Sequence, residues 1–278
     1  EHKYEKVSVI VPNYNYEHYI IERLKSIDNQ TYPIYEIIYL DDASTDNSNE
    51  KVINYIDKSY NNIIIDLNLE NSGNVFSQWK KGISKAKGDY IWIAEADDLS
   101  DRYFLENIMK GFEYDNVVIS YSQSKQINEA GSIIANEYLY YTNDVDIHKW
   151  STDYVNNGVD EIKQCMSIKN TIPNISAVVF KKVNNINVIC SEIDNYKVAG
   201  DWLFYINLLE IGNIYFCSKS LNYHRRHEDS IVKTVNNKIH FNEIVAIQNY
   251  ISNKYDLSKE ISNKVQLYRT IVKKYLKV

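Results

Sequence analysis

The sequence predicts an α/β fold, with a mostly parallel sheet flanked by helices and a C-terminal helical extension. Two observations predict it. Over the first 125 residues, short apolar runs typical of strands alternate with segments of helical periodicity, the pattern of a parallel sheet covered by helices. From Lys238 to the end of the chain, two amphipathic helical patterns follow one another.

The strands are predicted where β-branched and apolar residues form short runs bounded by polar residues. These runs are 7–11, 35–40, 62–67, 90–94, 116–123, 174–180 and 213–218. Between residues 126 and 160 the alternation breaks, and the chain becomes polar, aromatic and irregular. The regular part of the sheet is therefore expected to come mainly from the first half of the chain.

The helices are predicted where apolar residues recur every three or four positions. In the first helix, over 16–27, Tyr16, Ile20, Leu24 and Ile27 fall on one stripe. The remaining predicted helices are 46–60, the segment from a Ser72 cap to Gly88, 201–212, and the two helices after residue 238.

Composition excludes several classes of protein. The 278 residues carry 31 basic and 37 acidic side chains, a formal charge of −6, so the chain as a whole does not attract nucleic acid. Its three cysteines are far apart, which fits buried thiols better than a disulfide framework or a zinc site. No membrane span or signal peptide is visible, and a cytoplasmic location is expected.

Polar groups follow three of the predicted strands directly, in the segments PNYN (12–15), DDAS (41–44) and EADD (95–98). Carboxyl ends of parallel strands meet at one edge of a sheet, where ligands of such folds bind. Each acidic cluster alone has an even chance of being only a helix cap, but three at one edge indicate a ligand site. Carboxylates there can accept from base or ribose groups, or hold Mg²⁺ or Mn²⁺.

The ordered series of segments VSVIVPNYN, YLDDASTDNS, NSGNVFSQWKKGISKAKGDYIWIAEADD and AGDWLFYINLLEIG resembles the family 2 glycosyltransferases, which have a GT-A fold. The resemblance implies transfer of a sugar from a nucleotide-sugar donor, with a UDP-sugar favoured, to a saccharide or lipid-linked saccharide. It further implies inversion, a divalent cation (Mn²⁺ or Mg²⁺), and a role in bacterial surface polysaccharide synthesis. The expected domains are a GT-A domain over 1–235, with a nucleotide-binding half (1–125) and an acceptor-side half (126–235), and a helical extension over 236–278.

The resemblance also assigns roles by position. Nucleotide contacts are expected from residues of the first three motifs, namely Pro12, Tyr14, Asp42, Asn71, Gly73, Lys81 and Asp97. Asp98 is expected to be the principal metal ligand, with Asp97 facing the ribose or the metal. Glu95 stands where many members have Asp, and is expected to be the one acid without a ligand role. Lys80 is the alternative to Lys81 as the cation after the Asn-x-Gly motif.

Asp201 occupies the position of the family's catalytic base. A carboxylate there can accept the proton of the attacking hydroxyl, although Asp is also a good helix cap and the two roles can coexist. His227 is a candidate further metal ligand, and Trp202 and His224 are candidate acceptor contacts. The aromatic segment 137–150 fits either sugar stacking or core packing.

Two other functions remain open at this point. A sugar nucleotidyltransferase of the same fold would carry a Gly-rich basic signature after the first strand, which PNYN lacks. A non-catalytic carbohydrate-binding domain would be expected to lose its acids, yet Asp42, Asp97, Asp98 and Asp201 are present. The basic end, 269–278, is compatible with contact to the inner face of a membrane or to further domains of a longer chain, although a solvated helix face is the default.

Overall fold

The computed structural model describes residues 4–227 and 236–278 and has one mixed β-sheet at its centre. The strand order is β3-β2-β1-β4-β9-β6-β10-β5, with β7 paired to β6 and β8 paired to β10. The strands are β1 (Val7–Asn13), β2 (Glu36–Asp41), β3 (Ile63–Leu67), β4 (Tyr90–Ile93), β5 (Leu99–Ser100), β6 (Val117–Ile127), β7 (Ile133–Ala135), β8 (Tyr154–Asn156), β9 (Val178–Lys181) and β10 (Asn213–Arg225).

The sheet is less parallel than the sequence predicts. Strands β1, β2, β3, β4, β6 and β10 run in one direction, whereas β5, β7, β8 and β9 oppose their neighbours. The central interruption is β9, which lies between β4 and β6 and pairs antiparallel with both. The predicted α/β fold is confirmed, with a mixed sheet in place of a mostly parallel one.

The helices cover both faces of this sheet. They are α1 (Ile20–Asp28), α2 (Ser48–Tyr55), α3 (Val75–Lys85), α4 (Phe104–Met109), α5 (Leu139–Thr142), α6 (Gly158–Glu161), α7 (Ile186–Glu192), α8 (Gly200–Leu209), α9 (Asn237–Lys254) and α10 (Lys259–Leu276). The cap of α3 is Asn74, whose side chain accepts from the backbone N–H of Phe76, and not Ser72 as predicted. Ser72 has another partner, described below.

Alternating side chains of the central strands separate the core into two layers. On β1, Ile10 packs into the layer that contains α3 and α8, while Val9 and Val11 pack into the layer that contains α1 and α4. Both faces of the strand are therefore buried, which explains why these strands appear in the sequence as continuous apolar runs. The carboxyl ends of the strands are left free to present polar groups.

The two C-terminal helices pack on the same core as the sheet. Ile244, Ile247 and Ile251 of α9 are buried in the layer that contains α3 and α8, and Gln248 donates to the carbonyl of Ile168. The expected division between a GT-A domain and a helical extension stays a prediction, and its boundary at 235 lies outside the described residues. Within the described chain, none of the helices combines the length and apolarity that a membrane crossing requires.

Candidate active site at the carboxyl edge of the sheet

The end of β2 supplies two aspartates with different surroundings. Asp41 is fully buried and accepts from Asn13 at 2.9 Å, from the Ser44 hydroxyl at 2.6 Å and from the Ser44 backbone at 2.8 Å. Asp41 therefore ties the ends of β1 and β2 together. The next residue, Asp42, contacts the loop that follows β3.

Asp42 holds the loop that leads into α3. One carboxylate oxygen accepts from the Asn68 amide and the Ser72 backbone, both at 2.8 Å, and the other accepts from the Ser72 hydroxyl at 2.8 Å. Asn71 in turn donates to the backbone carbonyl of Asp42. The structure thus brings together Asp42, Asn71 and the adjacent Gly73, the last in the left-handed region at φ 66°.

The remaining residues predicted to contact a nucleotide lie at different depths. Lys81 contacts Asn68 at 2.6 Å and Asp66 at 2.5 Å, so it holds the end of β3 and the residue that follows it. Pro12 is buried within β1, and Tyr14 is 47% exposed at the end of that strand. Tyr14 is therefore exposed enough for a ligand to contact its side chain.

Replacing Asp42 by alanine is expected to destabilise the fold. Three donors on Asn68 and Ser72 would lose their acceptor, and we expect the free energy of unfolding to fall by about 2–4 kcal/mol. Urea denaturation followed by circular dichroism measures this change. The matched control is Asp57→Ala, at an exposed site, which should change stability by less than about 0.5 kcal/mol. Equal effects of the two substitutions would contradict the role given to Asp42.

The segment after β4 concentrates negative charge. One carboxylate oxygen from each of Glu95, Asp97 and Asp98 lies within 4.8 Å of the others. Burial and the neighbouring carboxylates Asp97 and Asp98 raise the pKa of Glu95 well above its usual range. No described residue donates a hydrogen bond to the Glu95 carboxylate, so its repulsion with the other acids is not relieved by a direct donor.

Asp98 has a different environment from Glu95. One of its oxygens accepts from the Asn174 amide at 2.9 Å and the Ser176 hydroxyl at 2.7 Å, and the other accepts from the Arg225 backbone at 2.8 Å. Asp98 therefore joins β4 to β10 and to the segment before β9. Asp98 is the acid of the cluster that accepts the most hydrogen bonds, and its expected role as principal metal ligand stays a prediction.

Asp97 is paired with His227, whose Nε2 lies 2.7 Å from a carboxylate oxygen. This contact raises the pKa of His227, and the opposite ring nitrogen lies 3.5 Å from Glu129. The imidazole also stacks on the ring of Tyr16, with centroids 6.1 Å apart. His227 thus lies at the acidic cluster, and its expected role as a further metal ligand stays a prediction.

Two buried arginines balance the acidic cluster. Arg23 is fully buried, contacts the Ser100 hydroxyl at 2.8 Å and lies over the ring of Trp92. Arg225 donates from Nε to the Asp97 carbonyl at 2.7 Å. The carboxylates in turn favour the charged form of Arg23, while burial lowers its pKa to about 10.

The donor set fits a divalent cation such as Mg²⁺ or Mn²⁺. These ions prefer carboxylate oxygens, and three are available within the cluster. Glu95 and Asp97 are less engaged by backbone and amide donors than Asp98, so they are better placed to exchange their present environment for a metal. The choice among the three acids stays a prediction.

Asp201 lies in the first turn of α8 and close enough to the cluster for its charge to raise the pKa of Glu95. Its carboxylate accepts from the Trp202 backbone at 2.8 Å and the Asn170 amide at 3.1 Å. Burial raises the pKa of Asp201 to about 6, against the opposing effect of these two donors. The N-cap of α8 is Ala199, so Asp201 does not have the alternative role of helix cap.

The start of α8 is held by Glu243 of α9. Its carboxylate accepts from three successive backbone N–H groups, those of Lys197 at 2.6 Å, Val198 at 2.9 Å and Ala199 at 2.8 Å. These N–H groups belong to the segment just before the helix and to its N-cap, Ala199, and a carboxylate at this end also interacts favourably with the helix dipole. A residue of the C-terminal helices thus fixes the segment that carries Asp201.

Comparison with known proteins connects this geometry to a family. The family model described as glycosyl transferase family 2 matches residues 8–164, more than half of the chain. The chain belongs to glycosyl transferase family 2. The match spans β1, the Asp42 loop and the acidic cluster, and it confirms the resemblance identified in the sequence.

Relatives of this family 2 chain match mainly its first half. Glycosyltransferase GlyG of Streptococcus pneumoniae is 35% identical over 148 residues, which are 53% of this chain and 44% of that protein. Poly(ribitol-phosphate) beta-glucosyltransferase of Bacillus spizizenii is 41% identical over 95 residues, 34% of this chain and 15% of that protein. The chain therefore spans less than half the length of these curated relatives.

Solved structures share the whole fold with the family 2 chain. S. aureus TarS in complex with UDP-GlcNAc superposes with a TM-score of 0.68 at 18% identity, covering 95% of this chain and 71% of that one. Mannosyltransferase PcManGT of Pyrobaculum calidifontis, in complex with GDP-Man and Mn²⁺, gives 0.60 at 14% identity, covering 98% and 70%. At these identities the likeness concerns the fold alone.

The two residues predicted to contact an acceptor differ in position. Trp202 is buried and its indole donates to the Met166 carbonyl at 3.0 Å, so its ring packs in the core and the expected acceptor contact is not supported. His224 contacts the Tyr138 hydroxyl at 2.5 Å beside the acidic cluster, and burial lowers its pKa. Within the segment 137–150, Tyr138 therefore lies at the site, whereas Trp150 packs in the core.

Three residues that the sequence interpretation overlooked contribute to the site. Arg23 lies on the apolar stripe of α1 at helical spacing from Ile20 and Ile27, and a charged residue at such a position is a recognisable signal. Asn174 and Glu243 gave no comparable signal, because their partners are distant in sequence. Their roles depend on tertiary contacts alone.

Proposed function

We propose that the chain transfers a sugar from a nucleotide-sugar donor to a saccharide acceptor, free or lipid-linked, in the synthesis of a surface polysaccharide. The observation that carries this proposal is the convergence of Asp201 and the Glu95–Asp97–Asp98 cluster at one edge of the sheet. Membership of glycosyl transferase family 2 supports it. A UDP-sugar is the favoured donor because the fold matches TarS, which has been solved with UDP-GlcNAc.

The nucleotide is proposed to bind over the ends of β1 and β2. Asp42, Asn71 and Gly73 form a loop fixed by hydrogen bonds, and Tyr14 offers an exposed ring beside it. A base that stacks on Tyr14 and donates to Asp42 would gain both apolar and polar contacts. Because Ser72 already orders the Asp42 carboxylate, little reorganisation would be needed on binding.

Glu95 and Asp97 are proposed to hold the divalent cation, with Asp98 fixing the segment that carries them. When bound, the cation neutralises charge on the donor diphosphate and favours its departure. Arg23 and Arg225 compensate the negative charge of the cluster only in part. The remaining negative charge disfavours binding of the diphosphate without a cation.

Asp201 is proposed as the general base of a single-displacement, inverting transfer. Its oxygen takes the proton of the acceptor hydroxyl as that hydroxyl attacks the anomeric carbon from the side opposite the departing diphosphate. A pKa of about 6 suits this role, since the group is ionised at neutral pH yet more basic than an exposed aspartate. His224, whose pKa is lowered by burial, is proposed to contact an acceptor hydroxyl.

The Glu243 contact leads to a prediction about Asp201. Replacing Glu243 by alanine would release three backbone donors at residues 197–199, and we expect turnover to fall about tenfold or more through misplacement of Asp201. Glu243→Gln removes the charge, which contributes to the raised pKa of Asp201, and keeps one of the two acceptor oxygens. The acid limb of the kcat/KM profile should then move to lower pH. Unchanged turnover in Glu243→Ala, together with an unchanged pH profile in Glu243→Gln, would contradict the role of Glu243 in positioning Asp201.

The experiment that tests the proposed function is a donor screen. Titration calorimetry with UDP, UDP-GlcNAc, UDP-glucose and GDP-mannose, each with Mn²⁺ or with EDTA, should show one nucleotide class bound more tightly when the metal is present. Slow hydrolysis of that donor without an acceptor would support transferase chemistry. Absence of binding by every nucleotide would overturn the proposal, and binding without hydrolysis or transfer to any saccharide would favour a carbohydrate-binding domain.

A further inference from the structure

The outward face of the C-terminal helix α10 carries apolar side chains in a row. Leu267, Ile271 and Tyr275 follow one another at four-residue spacing and are 60%, 54% and 81% exposed. Residues four apart lie on the same face of a helix, so these side chains form a continuous stripe. The opposite face packs on the core through Val265 and Leu276, and the stripe is therefore a second apolar surface of the same helix.

Lysines lie along one side of this stripe. Lys274 is nearest to the stripe, Lys277 and Lys273 follow on the same side of the helix, and all three are exposed. Among the described residues no carboxylate forms an ion pair with these three lysines. Residues 259–278 carry six basic side chains and one acidic side chain, in a chain whose formal charge is −6. The charge of this helix is thus opposite to that of the molecule as a whole.

We propose that this face of α10 docks on an anionic membrane surface. An interfacial helix buries an apolar stripe at the boundary between headgroups and acyl chains while its flanking lysines contact anionic headgroups, which is the pattern found here. The occupant is chosen by charge. A second copy of the chain in a two-fold contact would place this helix against itself, lysine facing lysine, which is unfavourable. This inference is independent of the proposed function.

The test is co-sedimentation of the whole chain with vesicles of phosphatidylcholine alone or of equal parts phosphatidylcholine and phosphatidylglycerol. Binding is expected to the anionic vesicles and to fall with added salt. Ile271→Asp should weaken it at least tenfold, and Lys274→Gln with Lys277→Gln should weaken it about thirtyfold, since each lysine near the surface contributes about fivefold.

Matched controls separate this face from general effects of charge. Ile53→Asp changes an isoleucine of the same 54% exposure on α2, and Lys25→Gln with Lys58→Gln removes two exposed lysines elsewhere. Both controls should bind anionic vesicles as the wild type does. All of the substituted side chains are exposed, so thermal melting should be unchanged and loss of folding would be seen directly.

Three results would overturn the inference. The first is failure of the wild-type chain to bind anionic vesicles at low salt. The second is equal loss of binding in the α10 variants and in their controls. The third is a dimer, detected by light scattering after size exclusion, that Ile271→Asp dissociates, because the stripe would then belong to a contact between copies of the chain.

Discussion

Replacing Asp201 by asparagine is expected to lower kcat by about two to four orders of magnitude, the usual contribution of a general base. The nucleotide site lies on other elements, so the affinity for a donor should change by less than about threefold. The asparagine oxygen can still accept from the Trp202 backbone, and the first turn of α8 should keep its geometry. Initial rates at saturating donor, together with calorimetry of nucleotide binding, measure the two effects separately.

The pH dependence of kcat/KM in the wild-type chain is a second test of Asp201 as the general base. The group must be ionised to accept a proton, so kcat/KM should fall about tenfold per pH unit as the pH drops below about 6. The amide of Asn170 favours the ionised form, and Asn170→Ala should move this limb to higher pH. The groups that face Asp201 with charge are Glu95 and Glu243, and both disfavour its ionisation.

The contribution of Asp201 to the free energy of unfolding should change with pH in the sense opposite to kcat/KM. Because burial raises the pKa of Asp201, the folded chain binds this proton more tightly than the unfolded chain between pH 4 and 6. Stability from this group is therefore lost as the pH rises through that window. Asp201→Asn removes the titrating group, so this loss of stability between pH 4 and 6 should be absent in the variant.

The control for Asp201→Asn is Asp160→Asn, another exchange in the first turn of a helix, at an exposed site on α6. It should leave turnover unchanged. Retained turnover in Asp201→Asn would remove the residue from the mechanism and leave it only the hydrogen bonds that it makes to Asn170 and Trp202. A fall in turnover that accompanies loss of folded protein in urea would indicate a structural role instead.

Periodicity predicted the sheet and its main helices well, and it failed where pairing depends on distant residues. The runs at 7–11 and 35–40 became β1 and β2 because strands buried on both faces need continuous apolar residues, and the run at 62–67 became the partly exposed edge strand β3. The run at 174–180 was predicted as a strand, but nothing in it specifies antiparallel pairing between β4 and β6. Direction is set by tertiary packing, which a local pattern does not contain.

The site shows the same limit. Strand ends indicated that Asp42, Asp97 and Asp98 would lie at one edge, because the topology of parallel strands fixes where those ends lie. Asp201, in a helix, was assigned through the family resemblance instead. The spacing does not show which acid receives hydrogen bonds. The donors to Asp98 come from residues more than seventy positions away, at Asn174, Ser176 and Arg225.

Substitutions within the acidic cluster should separate structural from ligand roles. Asp98→Asn exchanges an acceptor for an amide that faces the Asn174 amide, and we expect a loss of about 2–4 kcal/mol in the free energy of unfolding, with or without metal. Asp97→Asn removes one of several repelling charges, and in EDTA it should be as stable as the wild type. Urea denaturation in EDTA compares the two, with the exposed Asp115→Asn as a control.

Metal-dependent nucleotide binding should follow the reverse order. Glu95→Gln and Asp97→Asn should each weaken the Mn²⁺-dependent part of binding about a hundredfold or more, since even residues behind the metal ligands contribute ten- to a hundredfold in such sites. If Asp98 only anchors the segment, the surviving folded fraction of Asp98→Asn should still respond to Mn²⁺. A stable Asp98→Asn protein that binds nucleotide but no longer responds to Mn²⁺ would instead make Asp98 the principal ligand. Its hydrogen bonds to Asn174 and Ser176 would then orient the carboxylate toward the cation rather than replace it.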